Sequence, residues 1–216
     1  MLNVNEQFFL LCLHEDKVVV LPNASSGFSF WLGGGVLTDL ALLGRISINE
    51  NHRLNLASKE PIGNPLLDET LQKIQGTDGA KKIGYWMDDF DFKPKKVFAQ
   101  LYGRLLDEGV LNQVDEDYVW VRSSIADIAQ AASPKFCLKR QLRSVTLAQV
   151  EPDLQATALL GLVLASNKLD LVFFKDERKL ARRRIDELLM SEAMRNPVAQ
   201  YIQEIGTSLA IRIDED

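Results

Sequence analysis
The run LQATALLGLVLA, Leu154 to Ala165, constrains this chain more than any other segment. It is apolar nearly all round, so as a helix it has no face to offer water. A bilayer span takes about 18 uninterrupted apolar residues, and Ser166-Asn167-Lys168 stops this run well short. Such a helix is stable only when other helices surround it.

The remaining sequence supplies them. Asn5 to Leu13 opens on a capping-type residue and turns apolar, which suits a short buried helix. Val36, Leu37, Leu40 and Leu43 fall at helical spacing and predict a helix over Val36–Leu43. Asn64-Pro65 before LLDETLQKI gives an N-cap, a proline at the first helical position and acids in the first turn, with Gly76 as the end. Ala80–Phe90 reads as a short helix carrying Tyr85 and Trp86. Lys93-Pro94 opens another that runs to Glu108 and stops at Gly109. Pro134–Leu147, Pro152–Ala165, Leu169–Ala193 and Pro197–Ile211 complete the helices. Val-rich Lys17–Leu21 reads as a strand. Ile46–Ile48 with Leu54–Leu56, and Val110–Val114 with Tyr118–Val121, read as hairpins. Nothing alternates in the βαβ manner of a parallel sheet, so the expected class is mainly α.

At 216 residues the chain makes one large domain or two small ones. A hydrophobic content of 46% with 25% charged residues is globular rather than disordered. The net charge of −5 and a pI near 5.2 argue against a nucleic-acid partner. MLNVNEQ carries no basic leader region, so the reading is cytoplasmic, with Cys12 and Cys137 as reduced, buried thiols. His14 and His52 share no ligand spacing with a cysteine, so no metal is expected. There is no Gly-x-Ser-x-Gly, and Gly35 is followed by Val36-Leu37 where a phosphate loop needs Lys-Ser/Thr. Asp68-Glu69 and Asp88-Asp89 are the carboxylate pairs, and the first needs only a helix-dipole role. Neither an enzyme nor a cofactor is expected.

What remains is an aromatic and a few cations. Phe30-Trp31-Leu32 runs into Gly33-Gly34-Gly35, which reads as a flexible glycine loop beside an amphipathic ring. Lys93, Lys95 and Lys96 crowd one helix start, where the dipole disfavours cations unless an anion compensates. Lys175–Arg184 is denser but interleaved with acids, and its spacings predict the local pairs Arg182–Asp186 and Arg183–Glu187. Lys139, Arg140 and Arg143 read as a solvated helix face.

Several blocks, in order, resemble the Golgi phosphoprotein 3 family: FFLLCLHEDK (Phe8–Lys17), GGVLTDLALLGRI (Gly34–Ile46), PIGNPLLDETLQKI (Pro61–Ile74) and RLLDEGVL (Arg104–Leu111). ATALLGLVLASNKLDLVF (Ala156–Phe173) and DERKLARRRIDELL (Asp176–Leu189) are similar too. The resemblance implies one domain over residues 1–216: a central helical bundle ringed by amphipathic helices, with one or more short β-hairpins. It also implies a non-enzymatic peripheral membrane protein that binds phosphatidylinositol 4-phosphate or related anionic phospholipid headgroups. The Val110–Val121 hairpin would serve homo-oligomerisation. Carried over by position, the headgroup site comprises Trp31 and Lys95, with Lys96 and Lys93 beside them. The family's other two basic positions fall on Gly33 or Gly34 and on Phe98, where this chain has no cation. The chain begins almost at the first family helix, without the long basic tail of eukaryotic members, and reads as a compact relative. The alternative is a cytosolic protein–protein adaptor or self-associating structural protein without phosphoinositide specificity.

Overall fold
The computed structural model describes residues 2–13, 28–91, 94–115, 118–121 and 133–213; the expected strand Lys17–Leu21, His14 and Lys93 lie outside them. The elements are α1 (Val4–Cys12), α2 (Phe28–Leu42), β1 (Ile46–Ile48), β2 (Arg53–Leu56), α3 (Pro65–Gly76), β3 (Lys81–Lys82), α4 (Ile83–Asp91) and α5 (Pro94–Asp107). After these come β4 (Leu111–Asp115), β5 (Tyr118–Val121), α6 (Pro134–Leu147), α7 (Leu154–Ala165), a 3₁₀ turn at Leu169–Leu171, α8 (Arg178–Ala193) and α9 (Pro197–Ile213).

The all-apolar helix sits where its composition demands. α7 is buried continuously from Ala156 to Val163 and packs against α1, α2, α6, α8 and α9. α2 is the other central helix, touching α1, α3, α4, α7 and α9. Helices α1, α3, α4, α6, α8 and α9 pack on one or both of this pair, α5 packs on α1, α3 and α4, and the protein is mainly helical with small antiparallel sheets.

Local chemistry sets most of the boundaries. Asn3, not Asn5, caps α1: its side chain accepts from the Glu6 N–H while Glu6 Oε2 accepts from the Asn3 N–H, a reciprocal capping box. Asn5 is instead buried inside the first turn. Asn64, Ser133 and Asp153 cap α3, α6 and α7, with proline at the start of α3 and α6. Gly109 ends the α5 turn at φ +66°, a left-handed conformation that glycine adopts without strain.

Three expectations change. Helix α2 starts at Phe28, not Val36, and runs through Gly33-Gly34-Gly35, all of them buried; the glycines are not a loop. The reason is tertiary. A Cβ on Gly35 would sit 2.9 Å from Asn5 Oδ1 and 3.2 Å from Leu162 Cδ2, so the missing side chain lets α1, α2 and α7 close on one another. The β1–β2 hairpin gains a third strand, because Lys81–Lys82 pairs with Arg53 and Leu54 before α4 begins at Ile83. Leu169–Ala193 is not one helix. The Glu177 side chain folds back to accept from the Phe174 N–H, closing a turn ahead of α8.

Candidate functional site
Side-chain contacts along α1 fix the direction of its neighbours. Asp39, near the end of α2, accepts from the N–H groups of Val4 (2.8 Å) and Asn5 (3.0 Å) at the start of α1, so the two helices are antiparallel. Arg104, near the end of α5, meets Glu6 at 3.1 Å, while Phe98 and Tyr102 pack on the Phe9 ring. Helix α5 is therefore antiparallel to α1 as well. At the start of α6, Lys135 Nζ donates to the carbonyl oxygen of Leu13. The N-termini of α2, α5 and α6 thus all point toward the C-terminal end of α1. Each brings the positive end of its dipole to one end of the bundle.

Helix α7 runs the other way and ends there too, since Gln155 at its start bonds Leu2 O and Gly35 meets Leu162 further along. Lys168, just beyond α7, places its ammonium 5.4 Å from the centre of the Trp31 ring. Trp31 is half-buried, one side against the core and the other beneath this cation. Cys12 lies at the same end, half-buried and unpaired. Burial pushes its thiol up to about 12, against the pull of the Lys135 and Lys168 charges and with a smaller push from Asp170.

The other candidates are distributed as follows. Lys95 is on the first turn of α5. Lys96 donates to Glu69 Oε1 at 2.7 Å, and this hydrogen bond holds the Glu69 carboxyl below its ordinary range. Phe98 is only 2% exposed and packs on Phe9, so that position faces the core, where a cation would have no partner. Gly33 and Gly34 are buried in α2.

The opposite end of α1 is a rigid anchor. Glu6 is buried and takes hydrogen bonds from Asn3 N, Arg104 Nε and Asn64 Nδ2, which ties α1 to α5 and to the α3 cap. Asp39 sits beside it, and burial pushes its carboxyl up to about 7 despite the backbone N–H groups of Asn5 and Val4. Its partners are backbone N–H groups within the fold.

A family model described as Golgi phosphoprotein 3 (GPP34) matches residues 4–205, nearly the whole chain and every element that builds this end. The chain belongs to the Golgi phosphoprotein 3 family. No described helix of this family member is long and apolar enough to cross a membrane. Among its described residues no group of three or more His, Cys, Asp or Glu side chains could hold a metal ion. Cys12 is a free thiol. His52 is 3.1 Å from Glu204.

Sequence reasoning missed Lys168 and Lys135. Both follow or precede helix boundaries that were visible, but nothing local says that Lys168 returns to Trp31 or that Lys135 reaches Leu13. Of the pairs expected in the basic run, Arg183–Glu187 forms at 3.7 Å, whereas Arg182 bonds Asn167 Oδ1 at 3.2 Å. Arg143 is not merely solvated: it grips Glu177 with two hydrogen bonds of 2.5 and 2.6 Å.

Proposed function
We propose that this Golgi phosphoprotein 3 family member is a non-enzymatic peripheral membrane module that docks on anionic phospholipid headgroups through the C-terminal end of α1. Trp31 supplies the interfacial aromatic, and Lys95, Lys96 and Lys93 supply cations on or beside the α5 start. The observation that carries the reading is the Lys168 ammonium over the Trp31 ring, at an end where three helix N-termini converge. Helix N-termini attract anions, and an amphipathic ring suits interfacial depth. Lys168 offers a cation where the family position on Gly33 or Gly34 has none. The Lys96 side chain is 55% exposed, and its pair with Glu69 is the screened, weak kind that exchanges readily for a phosphate.

Co-sedimentation with vesicles tests this, using phosphatidylcholine with and without phosphatidylinositol 4-phosphate or phosphatidylserine. The intact chain should pellet with the anionic vesicles, and Trp31→Ala and Lys95→Glu should each shift it to the supernatant. Equal recovery in the supernatant with every anionic lipid sinks the proposal.

A second reading, self-association through the Val110–Val121 hairpin, has one observation in its favour. β4 and β5 form a two-stranded sheet of their own among the described residues, leaving strand edges for a second copy. Sedimentation velocity over a concentration series decides it, and a monomer throughout rejects it.

A further inference from the structure
A groove of about 550 Å³ opens between α6 and the connection from α7 to α8. Its polarity is divided. Lys139, Arg140 and Arg143 line the α6 wall, whereas Leu147, Leu171 and Phe173 contribute apolar surface. Phe136 and Phe174 line it as well, 42% and 70% exposed, which is unusual for rings of this size. The Arg143 guanidinium lies 4.7 Å from the centre of the Phe174 ring and is held there by Glu177. The cations stand on a chain whose net charge is −5, so this wall is a local reversal of sign.

Hydrogen-bonding capacity selects the occupant. Among the described residues, Asp170 is the one acidic side chain lining the groove. The carbonyls of Val172, Phe173 and Phe174 are already taken by Arg143, Arg178 and the Glu177 N–H. The Ser144 hydroxyl donates its proton to Arg140 O, so it offers the groove no further donor. The groove therefore sets the cations of α6 beside apolar surface, with these three carbonyls already engaged. An extended peptide brings an N–H for nearly every C=O and would leave many donors unpaired. A phospholipid does not: its phosphate only accepts, and its acyl chain needs only apolar contact.

We propose that this groove takes a single anionic phospholipid, its phosphate on Lys139 and Arg140 and its acyl chain on the apolar floor between Phe136 and Phe174. This rests on the reading of the protein as a membrane-docking module and adds a second contact surface to it. The Leu169–Leu171 turn, which follows Lys168 directly, forms part of the groove, so the new surface is continuous with the Trp31 end.

The test titrates the full chain with dioctanoyl phosphatidylglycerol below its micelle concentration, followed by calorimetry. Dioctanoyl phosphatidylcholine, glycerol 3-phosphate and an acidic amphipathic peptide are the comparison arms. The anionic lipid should bind more tightly than any of the three. Arg140→Glu and Phe174→Ser, both at exposed positions, should each weaken it about tenfold with an unchanged circular dichroism spectrum. Wild-type affinity in both groove variants overturns the proposal. So does equal binding of glycerol 3-phosphate, which would make this a free-phosphate site, or tighter binding of the peptide, which would make it a protein interface. Vesicle recovery of the same variants separates the two proposals. Loss with Trp31→Ala alone rejects the groove and keeps the docking end, and loss with the groove variants alone does the reverse.

Discussion

Gly35 gives the sharpest test of why the glycine run is helical. In an open helix position, Gly→Ala stabilises by about 1 kcal/mol through helix propensity. Gly103, on α5, is such a position: a Cβ there would meet nothing within 4 Å. At Gly35 the same methyl group would lie 2.9 Å from Asn5 Oδ1, 3.2 Å from Asn5 Cβ and 3.2 Å from Leu162 Cδ2. These neighbours belong to two other helices, and the Asn5 backbone is pinned by Asp39, so relief requires the buried Asn5 and Leu162 side chains to give way. Overpacking of this kind costs about 1–3 kcal/mol. The propensity gain is common to both substitutions and cancels in their difference. Gly35→Ala should therefore be about 1–3 kcal/mol less stable than Gly103→Ala. Urea unfolding reads this directly. With a slope of about 2–3 kcal/mol/M, the two midpoints should differ by roughly 0.3–1.5 M. A Gly35→Ala midpoint equal to or above that of Gly103→Ala would refute the close-approach account.

Three further outcomes follow from the anchored end of α1 and from Cys12. Arg104→Ala strands the buried Glu6 carboxylate without its cation and should cost about 3 kcal/mol, whereas Lys96→Ala breaks an exposed pair and should cost under about 1 kcal/mol, both by urea unfolding. The Asp39 carboxyl titrates at about 7 in the fold against 3.8 as its ordinary value, so between these limits the unfolded chain loses a proton that the folded chain keeps. That group's contribution to stability is complete below about 4, falls as pH rises and is gone above about 7; Asp39→Asn should flatten this slope in midpoint-against-pH measurements. Cys12, with its thiol pushed up to about 12, should resist iodoacetamide at neutral pH in the native chain and react on unfolding, as read by peptide mass spectrometry.

The sequence was most readable where structure is decided within a few residues. The Asn64-Pro65 and Ser133-Pro134 starts and the Gly109 stop are local chemistry, and the helices begin and end there. α7 was readable because an all-apolar run has one stable surrounding. The glycine run failed because its cost is local while its benefit lies in contacts with Asn5 and Leu162 on other helices. The break after Leu171 failed for a similar reason: Arg143, from α6, holds the Glu177 side chain that closes the turn. At the candidate site, Trp31 and the α5 lysines were identifiable as residue types. The cation that meets Trp31 was not, because Lys168 follows α7, far along the chain from α2.

The central claim is that an end of the bundle carrying Trp31, the α5 lysines and Lys168 holds this protein on anionic membranes. Its most direct measurement is vesicle co-sedimentation of the wild-type chain and of Lys168→Glu with Trp31→Ala, at low and high salt. The account predicts that the wild-type chain pellets with anionic vesicles at low salt, is released by high salt, and ignores phosphatidylcholine alone. The double variant should stay in the supernatant throughout. A wild-type chain that never pellets, or a double variant that pellets as well as wild type, contradicts it.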